Sequence, residues 1–133
     1  MIRDWFTVLP ATPSQYFERF VLCNNLYSGL NALEGFCEID DRFAIMTSLP
    51  FVAGTNAAAV QIREYMEARS FNKLCDATWF RDADSLGVFD VGGSNLFADE
   101  SGELVPIDVI PVRPDGNLLN TLQKAQARLF PSD

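Results

Sequence analysis

The chain has 133 residues, of which 48% are hydrophobic and 21% charged, with a formal net charge of −8 and no histidine. That composition suits one globular domain with one core and excludes a disordered chain. The acidity argues against a nucleic-acid backbone or an anionic membrane as partner, and the missing histidine excludes Ser-His and Cys-His catalytic pairs and the common Cys/His zinc sites.

The three cysteines, Cys23, Cys37 and Cys75, include no C-x-x-C pair and read as free buried thiols of a reducing cytosol. Residues 1–10 carry an acid and no signal-peptide apolar core, and no apolar run reaches membrane-spanning length. A cytoplasmic location is the expectation.

Along the chain, a short apolar run from Trp5 to Leu9 is closed by Pro10 and Pro13. A helix is expected from Ser14 to about Tyr27, with Thr12 or Ser14 as its cap and Tyr16, Phe17, Phe20, Val21 and Asn24 at helical spacing. Asn24-Asn25 and Ser28-Gly29 break it. Residues 32–39 and 42–49 then read as an antiparallel hairpin across Asp40-Asp41, with one wet face. Pro50 ends its second strand. Gly54-Thr55-Asn56 reads as a turn. The periodicity of Ala58, Ile62, Tyr65, Met66 and Arg69 predicts a helix over 57–69, with Tyr65 and Met66 in the core. Phe71 is placed to staple its end to the sheet.

Ala77–Arg81 reads as a strand, Asp82–Ser85 as a solvated turn, and Leu86–Val91 as the antiparallel return. A Ca²⁺ loop at Asp82, Asp84 and Asp90 is disfavoured, because the spacing and the terminal Glu are missing. Gly116-Asn117 precedes a last helix, 118–130, with Leu118, Leu119, Leu122, Ala125 and Leu129 as its apolar stripe. The fold class expected is α+β: a small antiparallel sheet of hairpins packed with two or three helices, forming one domain over 1–133.

The chemistry concentrates in residues 86–113. An apolar run ends at Asp90. Gly92-Gly93-Ser94 leads to Asn95, a short apolar segment turns at Glu100-Ser101-Gly102, and a second apolar run from Leu104 to Val112 is interrupted by Asp108. The pattern is strand, loop, strand, turn, strand, with Asp90, Asn95 and Asp108 set to converge at one end. A carboxylate inside an apolar strand is costly to bury unless it is paired or metal-bound.

Asp90 and Asn95 stand five apart, and Asp108 follows Asn95 by thirteen. In that order and spacing the stretch resembles the catalytic and metal-binding loops of the protein-kinase and aminoglycoside-phosphotransferase superfamily, within its C-terminal lobe. The resemblance implies a general-base role for Asp90 and Mg²⁺ ligation by Asn95 and Asp108, with ATP as the nucleotide. It also implies a hinge at Thr47, Ser48 and Leu49, where the backbone would bind adenine. The first helix reads either as a plain packing helix, which is favoured, or as the helix behind the nucleotide site, with Glu18 as the counterpart of the family's helical Glu. The chain departs from the family at Val88 and Phe89 before Asp90 and at Val109 and Ile110 after Asp108. It has no Gly-rich loop over the phosphates. Its two lysines, Lys73 and Lys124, are not on an early strand.

Two functional expectations follow. The first is a kinase-like remnant, non-catalytic on its own, that acts as a protein-interaction module with a vestigial Mg-nucleotide site. Its partner would be another protein or a second copy, and a phage or mobile-element origin fits its size. In this setting Gly92 and Gly93 would supply positive φ, and Asp108 would pair with Arg81 or Arg113. The second is an active phosphotransferase using Asp90, Asn95 and Asp108. The two separate on whether those three side chains meet in an open cleft.

Overall fold

A computed structural model describes residues 12–26 and 31–132. The apolar run Trp5–Leu9 and the break at Ser28-Gly29 lie outside the described residues. Helix α1 spans Pro13–Leu26. Thr12, rather than Ser14, caps it: Gln15 N–H donates to Thr12 Oγ1 at 3.2 Å, and Thr12 N–H donates to Gln15 Oε1 at 2.9 Å. That reciprocal pair satisfies two helix-end donors at once. Leu22 is the buried residue of α1, while Val21 is 55% exposed.

Strands β1 (Ala32–Ile39) and β2 (Arg42–Ser48) form the expected hairpin. Asp40 and Asp41 both take positive φ, 52° and 60°, as a two-residue turn matched to strand twist requires. The expected single wet face is not found: both strands are mostly exposed, with Gly35, Cys37, Ala44 and Ile45 half-buried and no fully buried residue.

Gly54–Asn56 is strand β3, not a turn. It pairs antiparallel with β7, Gly54 opposite Asp99 and Asn56 opposite Phe97. Helix α2 is shorter than its periodicity suggests, Ala59–Glu67. It ends with Ser70 in the left-handed region and the Phe71 N–H donating to Met66 O at 3.1 Å. This closure turns the Phe71 ring into the core, where it is 1% exposed beside Met66.

An unforeseen strand, β4 (Asn72–Cys75), follows and pairs with β5 (Thr78–Arg81). A short 3₁₀ turn at Asp82–Asp84 leads into β6, Leu86–Phe89. Strands β7 (Leu96–Asp99), β8 (Leu104–Pro106) and β9 (Ile110–Val112) come next, and helix α3, Gly116–Leu129, closes the described chain.

Among the described residues the strands make three sheets, in the orders β1-β2, β3-β7-β8 and β4-β5-β6-β9, with antiparallel pairings throughout. The run 104–112 is therefore not one strand. Its halves enter different sheets, and Asp108 lies in the bend between them. The α+β class holds.

The larger core cluster joins Leu22 of α1, Ile62 and Met66 of α2, Phe71, Trp79, Leu86, Val88, Val91, Leu96 and Val109. A second cluster, Phe80, Phe89 and Leu122, seats α3 on the far face of the four-stranded sheet. Alternation along β5 and β6 sends Trp79 and Val88 one way, Phe80 and Phe89 the other. Each such side chain contributes about 1.5–3 kcal/mol on burial.

The cysteines are less buried than expected: Cys23 and Cys37 are half-buried and Cys75 is exposed. No helix among the described residues is long and apolar enough to cross a membrane.

Candidate functional site

Strand β6 carries the chain out of the four-stranded sheet and ends at Phe89, next to Asp90. The next strand, β7, belongs to the three-stranded sheet. The connection between them, 90–95, is thus a crossing from one sheet to the other. The segment 107–109 is the crossing back, from β8 to β9. The three candidate residues of the motif sit on these two crossings.

The crossings are bonded to each other through Asn95. Its side-chain Nδ2 donates to the Asp90 carbonyl at 2.8 Å. Its own carbonyl accepts the N–H of Ile107 at 2.8 Å and that of Asp108 at 3.4 Å. Its N–H donates to Gly92 O at 2.9 Å, closing the loop as a tight turn. Asp90 takes φ 57°, the left-handed region that Asp and Asn tolerate better than other branched or bulky residues. Just after it, Val91 N–H donates to Ala77 O at 3.0 Å and anchors the loop to the start of β5.

The glycines do a different job from the one their sequence suggests. Positive φ falls on Asp90, not on Gly92 or Gly93. A Cβ on Gly93 would lie 2.9 Å from the Ala57 carbonyl oxygen, so Gly93 is required by close approach of the β3–α2 connection. A Cβ on Gly92 would meet nothing within 4 Å.

Electrostatics ties the carboxylates together. Partial burial first, and the charge of Asp90 second, hold the Asp108 carboxyl above the usual range. Burial, then the Asp108 charge, push the Cys23 thiol up to about 11, and its Sγ lies 3.7 Å from Val109 O. Cys23 is therefore a protonated, unreactive wall of this site at neutral pH.

Arg81 pairs with Asp84. Its Nε and Nη2 make a two-pronged contact with Asp84, 2.8 and 2.7 Å, holding that carboxyl below the usual range. The turn at 82–85 is accordingly pinned rather than loosely solvated. Arg81 also donates to Arg69 O at 3.2 Å and covers the Phe71 ring at 4.7 Å.

Among the described residues no three His, Cys, Asp or Glu side chains cluster as a metal cage. The metal ligands expected at the crossings are one carboxylate, Asp108, and one amide oxygen, that of Asn95. Both are hard ligands suited to Mg²⁺, which ordinarily keeps water or phosphate oxygens in its remaining positions.

The residues expected at a hinge lie at the end of β2. Thr47 Oγ1 is 3.4 Å from the Tyr16 hydroxyl, Ser48 Oγ donates to Glu34, and Leu49 is half-buried. They join the hairpin to β3, and Ala57 N–H, just past β3, donates to Leu96 O at 2.9 Å. The loop residue Gly93 packs on that same connection. Backbone pairing of this kind leaves no side-chain signal, which is why β3 was not foreseen.

Searches of curated proteins and of solved structures return no match. A family model does match, over residues 7–112, and that span includes both sheet crossings and all three candidate side chains. Its description is a serine/threonine/tyrosine kinase found in polyvalent proteins. The chain belongs to this kinase family, Kinase-PolyVal.

Proposed function

We propose that the chain is a kinase-like domain that carries the metal-and-nucleotide half of a phosphotransfer site and is not catalytic on its own. The observation that carries this reading is that Asp90, Asn95 and Asp108 sit on the two segments where the chain changes sheet, with Asn95 bonded to the main chain of both. Asp108 and Asn95 would hold Mg²⁺, and Asp90 would accept the proton of an attacking hydroxyl. When bound, the cation supplies charge neutralisation between nucleotide phosphates. This chain's own part is to orient the two oxygens and the base.

The raised Asp108 carboxyl supports the assignment. Burial first and the Asp90 charge second oppose ionisation of Asp108, and a divalent ion bound there would favour it. Its two lysines, Lys73 on β4 and Lys124 on α3, lie outside the crossings. In this reading a protein partner or a second copy would supply the lysine that pairs with the phosphates. Membership of a family found in polyvalent proteins also agrees with a phage or mobile-element origin.

A second reading, an active phosphotransferase using Asp90 as base, is favoured by the family's description as a serine/threonine/tyrosine kinase. ATP turnover by the purified chain would select it.

Thermal unfolding of wild type and Asp108→Ala, with and without Mg²⁺ and ATP, tests the site. A ligand restricted to the native state stabilises it by about 2.7 kcal/mol at a hundredfold excess over Kd. A Mg-ATP-dependent rise in wild type that is lost in the folded variant supports the site. No rise in wild type removes it.

A further inference from the structure

We propose that Cys23 of helix α1 is a positioning residue of the crossing site: its thiol holds the main chain just after Asp108, while Asn95 holds it just before. The use to which the bend is put rests on the phosphotransfer reading. The clamp itself does not, and the first arm of its test is free of metal and nucleotide.

The bend 107–109 lies between β8 and β9 and belongs to neither. Its main-chain groups therefore have no strand ladder to bond to and must find partners elsewhere. On one side, the N–H groups of Ile107 and Asp108 donate to the Asn95 carbonyl at 2.8 and 3.4 Å. On the other, the Cys23 thiol donates to the Val109 carbonyl at 3.7 Å. Val109 is 7% exposed, so that carbonyl has little water to turn to when the thiol is removed. Asp108 stands between the two holds. No strand pleat fixes its side chain, so its direction follows from them. Removing outer partners of this kind typically costs about 10–100-fold in metal affinity.

Helix α1 keeps the thiol in place through its neighbours. Leu22 is 5% exposed in the larger core, and Cys23 packs against the same cluster. Asn24 is locked to the chain entering β1: its Nδ2 donates to Asn31 O at 3.1 Å, and its Oδ1 accepts the Asn31 N–H at 3.2 Å. Three successive residues thus fix α1 to the core, to the bend and to the hairpin. Burial, then the Asp108 charge, push the thiol up to about 11, so at neutral pH it is a donor and not a competing anionic ligand.

Two variants separate the bond from the packing. Cys23→Val keeps an apolar side chain of similar size and removes the donor. Cys23→Ser keeps a donor, at shorter reach, and gives up the sulfur's apolar contact. Hydrogen exchange at the Ile107 and Asp108 amides is read without metal, as a ratio to the Phe71 amide, which bonds Met66 in the core. The expected result is exchange several-fold faster than wild type in Cys23→Val, and slower in Cys23→Ser than in Cys23→Val even though Ser has the lower Tm. Mg-ATP affinity, measured by titration, should follow the same order, with a loss of about tenfold or more in Cys23→Val.

Exchange in Cys23→Val equal to wild type overturns the proposal. So does exchange in Cys23→Ser as fast as in Cys23→Val, which assigns Cys23 to packing alone. Faster exchange in Cys23→Val with unchanged Mg-ATP affinity also overturns it, because the bend would then be held without positioning Asp108. A wild type that binds no Mg-ATP sinks the phosphotransfer reading instead, and the metal-free comparison still decides whether Cys23 holds the bend.

Discussion

The side-chain amide of Asn95 donates to the main-chain carbonyl of Asp90 at 2.8 Å, fixing the loop's left-handed residue from five positions away. The bond makes the loop's shape depend on a residue that the chemistry also needs. Replacing Asn95 with Ala leaves a half-buried carbonyl without its donor, a loss of about 1–3 kcal/mol. Asn95→Asp should cost at least as much, since an acceptor then faces an acceptor. Urea unfolding without Mg²⁺ measures both. A loss below about 0.5 kcal/mol in both variants would show that the bond does not hold the loop.

Asp108 gives a pH prediction whose sign is set by its raised carboxyl. Its native pKa lies above its unfolded value, so the native state binds more protons between the two. Stability contributed by this group is present below the ordinary carboxylate value and lost as pH rises through the native one. Asp108→Asn should therefore raise Tm at pH 7 in metal-free buffer, with the difference closing below about pH 3. Mg²⁺ with nucleotide should reverse the order by stabilising wild type alone. A variant less stable than wild type at pH 7 without metal contradicts the argument.

The glycines separate by what a methyl group would strike. Gly93→Ala places a Cβ 2.9 Å from the Ala57 carbonyl oxygen, and Gly54→Ala drives one into the Ala98 carbonyl, whereas Gly92→Ala meets open space. The first two should destabilise by about 1–3 kcal/mol, the scale of overpacking against backbone that must shift. Gly92→Ala should be neutral within about 0.5 kcal/mol. Chemical denaturation of the three variants checks the ranking, and equal losses would refute it.

The hairpin turn should be improvable. Asp41 holds φ 60° in a two-residue loop, where glycine pays no side-chain penalty. Asp41→Gly is expected to stabilise the hairpin by about 0.5–1 kcal/mol. Hydrogen exchange at β1 and β2 amides reads this locally, and faster exchange would count against it.

The sequence was most readable where one local rule set the outcome. Asp-Asp between two alternating runs marked the hairpin, and the spacing of Ile62 and Met66 marked α2. The five-residue step from Asp90 to Asn95 marked the loop. It was least readable where pairing across the chain decided. Gly54–Asn56 is a strand because Phe97, Ala98 and Asp99 lie opposite. The apolar residues on either side of Asp108 look like one run because nothing local shows that Leu104 and Ile110 join different sheets. Arg81 was offered to Asp108 on charge alone, but Asp84, three residues on, lies within bonding reach.

The two crossings have a mechanical consequence. Both strands that leave the four-stranded sheet near the site, β6 and β9, connect there to the three-stranded sheet through β7 and β8. A cation held by Asn95 on one crossing and Asp108 on the other would act as a rivet through both sheets, so that filling the site and stiffening the seam become one event. Slack in that seam, read by hydrogen exchange at Val91 and Leu96, would then gauge occupancy from the protein's own backbone, with no need to see the ligand.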